Sequence, residues 1–261
     1  MTLLDAAERS ARGAKLQAEL TGGAPAPAPA TLLEASWRDY VYAEVWARPG
    51  LDLRSRFLIS MSSAAAAGDE SATAAYVRGA LTRKELVLSE LREAVLHTAV
   101  YAGWSTGGVL DEAVTRVAAE QGLGAAEYAP IRAASWDPKV RLDEGRDSFL
   151  HNMKFGGPPP QTAFFEGGIL NFVFGEMWSR PGLDQRARRW LTLVGVGNSS
   201  SSTPIRSHAW SAMASGNASR EEMYEFVLQY AIHAGWPRAS VMQSAVLEQA
   251  PRVDKGLPFE P

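Results

Sequence analysis

The chain has 261 residues, no cysteine, four histidines and a formal net charge of −3. That length is ample for a buried core, and the missing cysteines exclude disulfides, thiolate metal sites, iron–sulfur clusters and thiol redox chemistry. With 26 basic against 29 acidic residues, nothing electrostatic argues for nucleic acid or an anionic membrane surface as a partner.

The N-terminus carries Asp5, Glu8, Arg9 and Arg12 where a secretory signal would need an apolar stretch. No uncharged apolar run approaches the roughly 18–20 residues of a bilayer span. We therefore expect a soluble, cytoplasmic protein that does not enter membranes. The first twenty residues read as a short amphipathic helix with Leu3, Leu4, Ala7, Ala11, Leu16 and Leu20 among charges. Gly22-Gly23-Ala24-Pro25-Ala26-Pro27-Ala28-Pro29-Ala30 follows, an alternating Ala-Pro stretch that reads as an extended spacer.

Beyond it the chain repeats itself. Trp46-Ala47-Arg48-Pro49-Gly50-Leu51-Asp52-Leu53-Arg54-Ser55-Arg56 returns as Trp178-Ser179-Arg180-Pro181-Gly182-Leu183-Asp184-Gln185-Arg186-Ala187-Arg188, a constant offset of 132 positions. The same offset carries Glu90 to Glu222, Glu93 to Glu225 and Ala102-Gly103-Trp104 to Ala234-Gly235-Trp236. An ungapped offset of this reach marks a tandem duplication. We place the N-terminal helix and spacer at 1–31, the first unit at 32–124, a connecting segment at 125–161 and the second unit at 162–261. The connector holds Trp136-Asp137-Pro138 and Gly156-Gly157-Pro158-Pro159-Pro160.

Each unit is predicted to be helical. Arg-Pro-Gly-Leu-Asp reads as a turn into a helix capped by Asp52 or Asp184, and alternation of β-branched residues is nearly absent. The fold class is all-α, as two tandem helical units. One helix per unit holds the chemically interesting residues. Ser89 is expected to open the first, and Ser219 with Glu222 forms a capping box for the second. At about 100° per residue, Glu90, Glu93, His97, Tyr101 and Trp104 share one face, repeated by Glu222, Glu225, Gln229, His233 and Trp236. Apolar residues border the stripe, so we expect it to be buried rather than solvated. Burial moves carboxyl and imidazole pKa values toward neutrality and suits them to proton transfer, though a satisfied Glu–His pair is an equally good account. Neither helix shows a His-Glu-x-x-His pattern, and no metal or other cofactor is expected.

Arg-Pro-Gly-Leu-Asp-x-Arg-x-Arg, followed by a Glu-x-x-Glu helix ending in Tyr-Ala-Gly-Trp or His-Ala-Gly-Trp-Pro, resembles the carboxymuconolactone decarboxylase family, which also contains the alkylhydroperoxidase D-like proteins. Both units carry the resemblance, over about two-thirds of the chain. It implies a compact helical unit that assembles into rings with sites between subunits. A trimer of this two-unit chain would mimic a ring of six. Peroxidatic members carry Cys-x-x-Cys-x-x-x-His. Counted back from His208, the thiol positions fall on Ser201 and Pro204; in the first unit they fall on Asp69 and Ala72, with Tyr76 at the histidine position. A thiol peroxidase is therefore excluded.

The resemblance then implies the decarboxylase branch, which needs no cofactor. His208 matches the motif histidine only in the second unit, and His97 matches the Glu-x-x-x-His histidine only in the first. His208, His233, Glu222 and Glu225 are the foremost acid–base candidates, with Glu93 and His97 beside them. Tyr101, Trp104, Trp210 and Trp236 are candidates for lining a ring-substrate pocket, and Arg180 for holding a carboxylate, although duplicated arginines more often pair within the protein. His151 is expected at the surface. The expected activity is that of a carbon–carbon lyase or isomerase on a small carboxylated or lactone-type organic acid. Two other readings stay open. One is a ring-forming paralogue without catalysis; the other is an oxidoreductase with a non-cysteine centre.

Overall fold

The computed structural model describes residues 5–23, 27–133 and 137–260, and is helical throughout with no strand among them. Leu3 and Leu4 of the expected N-terminal helix, Ala24-Pro25-Ala26 of the spacer and Trp136 of the connector lie outside the described residues. Helix α1 (Ala6–Thr21) opens on a capping box in which Asp5 accepts from the Glu8 N–H at 2.8 Å and Glu8 returns to the Asp5 N–H. Helix α2 (Leu32–Ser36) runs directly into the π-helical π1 (Trp37–Trp46). After the Arg-Pro-Gly turn, Asp52 caps α3 (Leu53–Ala66), accepting from the Ser55 N–H at 2.8 Å. Asp69 caps α4 (Glu70–Thr82), and α5 (Leu88–Ala102) and α6 (Trp104–Glu120) follow.

The second half repeats this order, without a counterpart of α2, as α7 (Pro138–Met153), π2 (Phe164–Met177), α8 (Gln185–Ser199), α9 (Ser202–Ala214), α10 (Arg220–Ala234) and α11 (Trp236–Asp254). The 132-residue offset thus pairs α1 with α7, elements the sequence assigns to an N-terminal segment and a connector. Both helices are capped by an aspartate, Asp5 or Asp137. Both also press a glycine onto the following π-helix. A Cβ on Gly13 would sit 1.9 Å from the Arg38 carbonyl oxygen, and one on Gly145 would sit 1.8 Å from that of Leu170. Only glycine fits at either place.

The halves share their interior. Leu183, Ala187 and Leu191 of the second half join the first hydrophobic cluster, while Leu51 and Ile59 of the first join the second. Helix α5 packs on α8, and α10 packs on α3, so each Glu-x-x-Glu helix leans on the other half. That exchange builds everything that follows. Two local expectations shift. The first Glu-x-x-Glu helix is capped at Val87 rather than Ser89, because Glu90 reaches back to the Val87 N–H at 2.9 Å. Trp104 and Trp236 open new helices instead of ending old ones, since Gly103 and Gly235 take φ values of 94° and 83° and break the chain just before them.

Candidate functional site

The stripe expected to be buried on α5 and α10 is buried in its middle, while Trp104 and Trp236 at its end are exposed and Glu90 and Glu222 half-buried. Glu93, His97, Glu225 and Gln229 are all nearly inaccessible, His97 and Gln229 fully so. Their partners come from the opposite half. Glu225 accepts from Arg48 Nε and Nη2 at 2.8 and 2.6 Å and from Arg56 Nη2 at 3.0 Å. Glu93 accepts from Arg180 Nη2 at 2.6 Å and from Arg188 Nη2 at 3.2 Å. These are the same contacts at the 132-residue offset. Burial works against the charge on Glu225, but Arg48 and Arg56 outweigh it and hold the carboxyl below its usual range. The outer carboxylates repeat the logic nearer the surface: Glu90 pairs with Arg54 at 2.8 Å and Glu222 with Arg186 at 2.7 Å. Arg180 is committed to Glu93, Glu176 and the carbonyls of Ala129 and Pro130. These clusters join the two halves.

Next along the stripe, His97 and Gln229 do the same work. His97 Nδ1 lies 3.5 Å from Arg188 Nη1, and its Nε2 lies 2.9 Å from Thr192 Oγ1. Gln229 Oε1 accepts from Arg56 Nη1 at 2.6 Å while its Nε2 donates to Ser60 Oγ at 2.8 Å. An imidazole with its proton on Nε2 matches the amide group for group. Burial, aided by the charges of Arg188 and Arg189, pushes His97 well below its ordinary pKa, so it is a neutral linker.

At the third position the halves exchange residue types. His233 Nε2 lies 3.2 Å from the Tyr76 hydroxyl, with the rings edge-on at 5.6 Å. The equivalent pair is Tyr101 and His208, again edge-on at 5.6 Å, with imidazole and phenol on opposite helices. His208 and His233 therefore belong to different clusters and are not brought together, nor does either join Glu222. Burial lowers His233 to about 4 and His208 to about 3, with Arg189 adding to the second shift. Burial also raises Tyr76 well above its ordinary range, and Tyr42 and Tyr101 to about 12.

Among the described residues, a pocket opens beside the Tyr76–His233 pair. It measures about 370 Å³ and is lined by Trp37, Tyr42, Asp69, Ala72, Tyr76 and Arg78, with Gln17 and Thr21 of α1 across it. Asp69, Ala72 and Tyr76 are the residues at the thiol and histidine positions of the peroxidatic motif. His233 meets the pocket from behind, against Tyr76 and with its ring 5.5 Å from Trp37. In the second half the equivalents of Gln17, Thr21, Trp37 and Tyr42 are Phe149, Met153, Ile169 and Phe174, which pack together into a hydrophobic cluster. Phe155 joins them, and Phe259 stacks on Phe155 and Trp210 at 4.8 and 5.9 Å. Side-chain bulk fills there what is open in the first half.

Arg189 marks the filled cluster. It is fully buried, lies 4.6 Å over the Trp178 ring, and bonds to the Asn152 carbonyl and His208 Nδ1, where the first half has Phe57 against Trp46. Burial lowers it to about 10. Tyr101 accepts from Trp178 Nε1 at 2.7 Å in the same cluster. Trp104 and Trp236 are 65% and 57% exposed; the first stacks on Phe172 and the second lies tilted against Tyr40, outside both clusters. Trp210 is buried beside Phe155, and His151 is exposed. Among the described residues, no three His, Asp or Glu side chains are grouped to hold a metal ion, and no helix is long and apolar enough to cross a membrane. Sequence reasoning did not select Asp69, Tyr76, Trp37 and Tyr42 as site residues. The available signal was that the first two stand where the motif places its reactive groups.

Residues 32–107 match the model of the carboxymuconolactone decarboxylase family. A stretch of 97 residues, 37% of the chain, is 29% identical to 4-carboxymuconolactone decarboxylase of Acinetobacter baylyi, of which it covers 69%.

Proposed function

We propose, from the match of residues 32–107 to the carboxymuconolactone decarboxylase family and the similarity to 4-carboxymuconolactone decarboxylase, a cofactor-independent enzyme that moves protons at carbon in a small lactone-type organic acid. The observation that carries the reading is the pocket at Asp69, Ala72 and Tyr76, backed by His233 from the other half. With its proton on Nε2, His233 donates to the phenol oxygen of Tyr76, whose hydroxyl in turn pairs with that of Tyr42, so the two linked phenols supply the donor at the pocket. A phenol so far from ionisation is a hydrogen-bond donor, suited to a carbonyl oxygen that gains charge as an enolate forms. The Asp69 carboxylate accepts the Ala72 N–H at 2.9 Å and stands at the same pocket as a base. Decarboxylation and double-bond isomerisation both pass through such an enolate.

A ring-forming protein without catalysis is the second reading, favoured by the commitment of Glu93 and Glu225 to ion pairs. The trimer resembling a six-unit ring remains part of both, and native mass measurement tests it. To decide between them, the purified protein is offered muconolactones and β,γ-unsaturated lactones while CO₂ release and absorbance are followed. Turnover that is lost in Tyr76→Phe and His233→Ala, with folding intact, supports the enzyme. Turnover lost in His208→Ala alone moves the chemistry to the other cluster. No turnover on the whole panel supports the non-catalytic protein.

A further inference from the structure

The charges around the pocket point to a narrower substrate class. Its guanidinium, Arg78, is held by Glu120 at 2.7 Å. A second chamber of about 260 Å³ shares Gln17 and Trp37 with the pocket and is lined by Pro27, Pro29, Glu34 and Arg38. Arg38 is bonded through Nε and Nη2 to the carboxylate of Asp39, at 2.6 and 3.1 Å. Deeper in, Arg48 and Arg56 are taken by Glu225. No lysine lines either chamber. The acids are less committed: Asp69 makes no ion pair among the described residues and only caps α4, and Glu34 accepts the Ala30 N–H. A carboxylate entering here would meet only arginines that already face a carboxylate, beside one unpaired anion, while Trp37, Tyr42 and Tyr76 offer ring faces to an uncharged guest.

Resting on the acid–base reading above, we propose that this pocket takes an uncharged lactone and excludes carboxylates, so that its reaction is a proton shift and not loss of CO₂. The step balances without a co-reactant. Asp69 takes the α-proton of a β,γ-unsaturated lactone, and the electron pair spreads to the carbonyl oxygen held by the linked Tyr42 and Tyr76 hydroxyls. The same proton then returns at the γ-carbon, leaving the conjugated isomer and a carboxylate again at Asp69. The second half cannot do this at its equivalent positions, where Ser201 replaces the base and phenylalanines fill the space.

The test compares two probes with five-carbon skeletons at neutral pH by ligand-observed NMR: uncharged γ-valerolactone, which has no double bond to move, and the levulinate anion. The lactone is expected to bind at least about tenfold more tightly, the scale of a like-charge penalty of one to two kcal/mol. Asp69→Asn, which keeps a competent helix cap, is expected to close most of that gap by improving levulinate alone. Trp37→Ala is expected to weaken the lactone. Equal or tighter levulinate binding to the unaltered protein overturns the proposal, as does failure of the lactone to bind or binding that ignores Trp37. Isomerisation of α-angelica lactone, followed separately, tests the acid–base reading. If the lactone binds selectively but never isomerises, that reading fails while the selectivity stands.

Discussion

The Tyr76 hydroxyl and the His233 imidazole, 157 residues apart in the chain, stand 3.2 Å from one another across the junction of the two halves. Tyr101 and His208 repeat the edge-on ring contact with phenol and imidazole exchanged between helices. One pair borders a pocket and the other is packed under phenylalanines. The duplication kept the geometry of both and the access of one.

Tyr76→Phe keeps the ring and removes the donor. On a lactone substrate it is expected to lower kcat about 10²–10³-fold, the effect of losing one donor to a developing oxyanion. Stability should fall by about 1–3 kcal/mol, because the ring still fills its space but the buried His233 Nε2–H loses its acceptor. Steady-state kinetics with a parallel thermal melt reads both, and an unchanged kcat would remove Tyr76 from the mechanism.

Glu93→Ala strands two buried guanidinium groups, Arg180 and Arg188. Removing one member of a buried ion-pair cluster costs about 3–5 kcal/mol, and Glu225→Ala should cost a similar amount through Arg56 and Arg48. Urea unfolding measures it. A loss below about 1 kcal/mol would mean that the clusters are not what joins the halves.

His97→Gln writes into the first half what Gln229 already is in the second. It should cost less than about 1 kcal/mol, whereas His97→Ala, which orphans Thr192 and leaves a void, should cost about 2–4 kcal/mol. Equal losses in the two variants would show that the imidazole does something an amide cannot.

The pH dependence follows from the same burial. His97 lies well below its ordinary pKa, His233 at about 4 and His208 at about 3, so between these values and about 6.5 the unfolded chain binds protons that the folded chain refuses. The stability is fully present above about pH 6.5 and is lost as pH falls toward the folded values, at about 1.4 kcal/mol per pH unit for each such histidine. Unfolding free energies measured from pH 7 down to pH 4 should decline, and less steeply in His97→Gln. A flat profile would mean that the three rings titrate freely.

Much of the scaffold was legible along the chain because it is written in local chemistry. The offset of 132 positions, the aspartates that cap α3 and α8, and the Ser219–Glu222 box depend on neighbours a few residues away. The middle of the stripe on α5 and α10 was legible as buried, since apolar residues bordered it. The match of α1 to α7 was harder to see, because it survives at few positions, among them Asp5 and Asp137, Arg9 and Arg141, and Gly13 and Gly145. Single glycines carry little signal until the carbonyl they admit is in view.

By itself the sequence determined an all-helical duplication, a chemistry without thiols and a likeness to one family over part of the chain. Those follow from periodicity, capping and residue identity, which act over one or two turns. The tertiary structure alone decided which polar residues meet. Glu93 and Glu225 could have served as bases, but the crossing of α5 onto α8 and of α10 onto α3 delivers arginines to both. It separated His208 from His233 and left space beside Tyr76 while filling it beside His208. Partners 80 to 180 residues apart and the volume between packed helices are set by how whole faces fit together, and no local pattern encodes that fit.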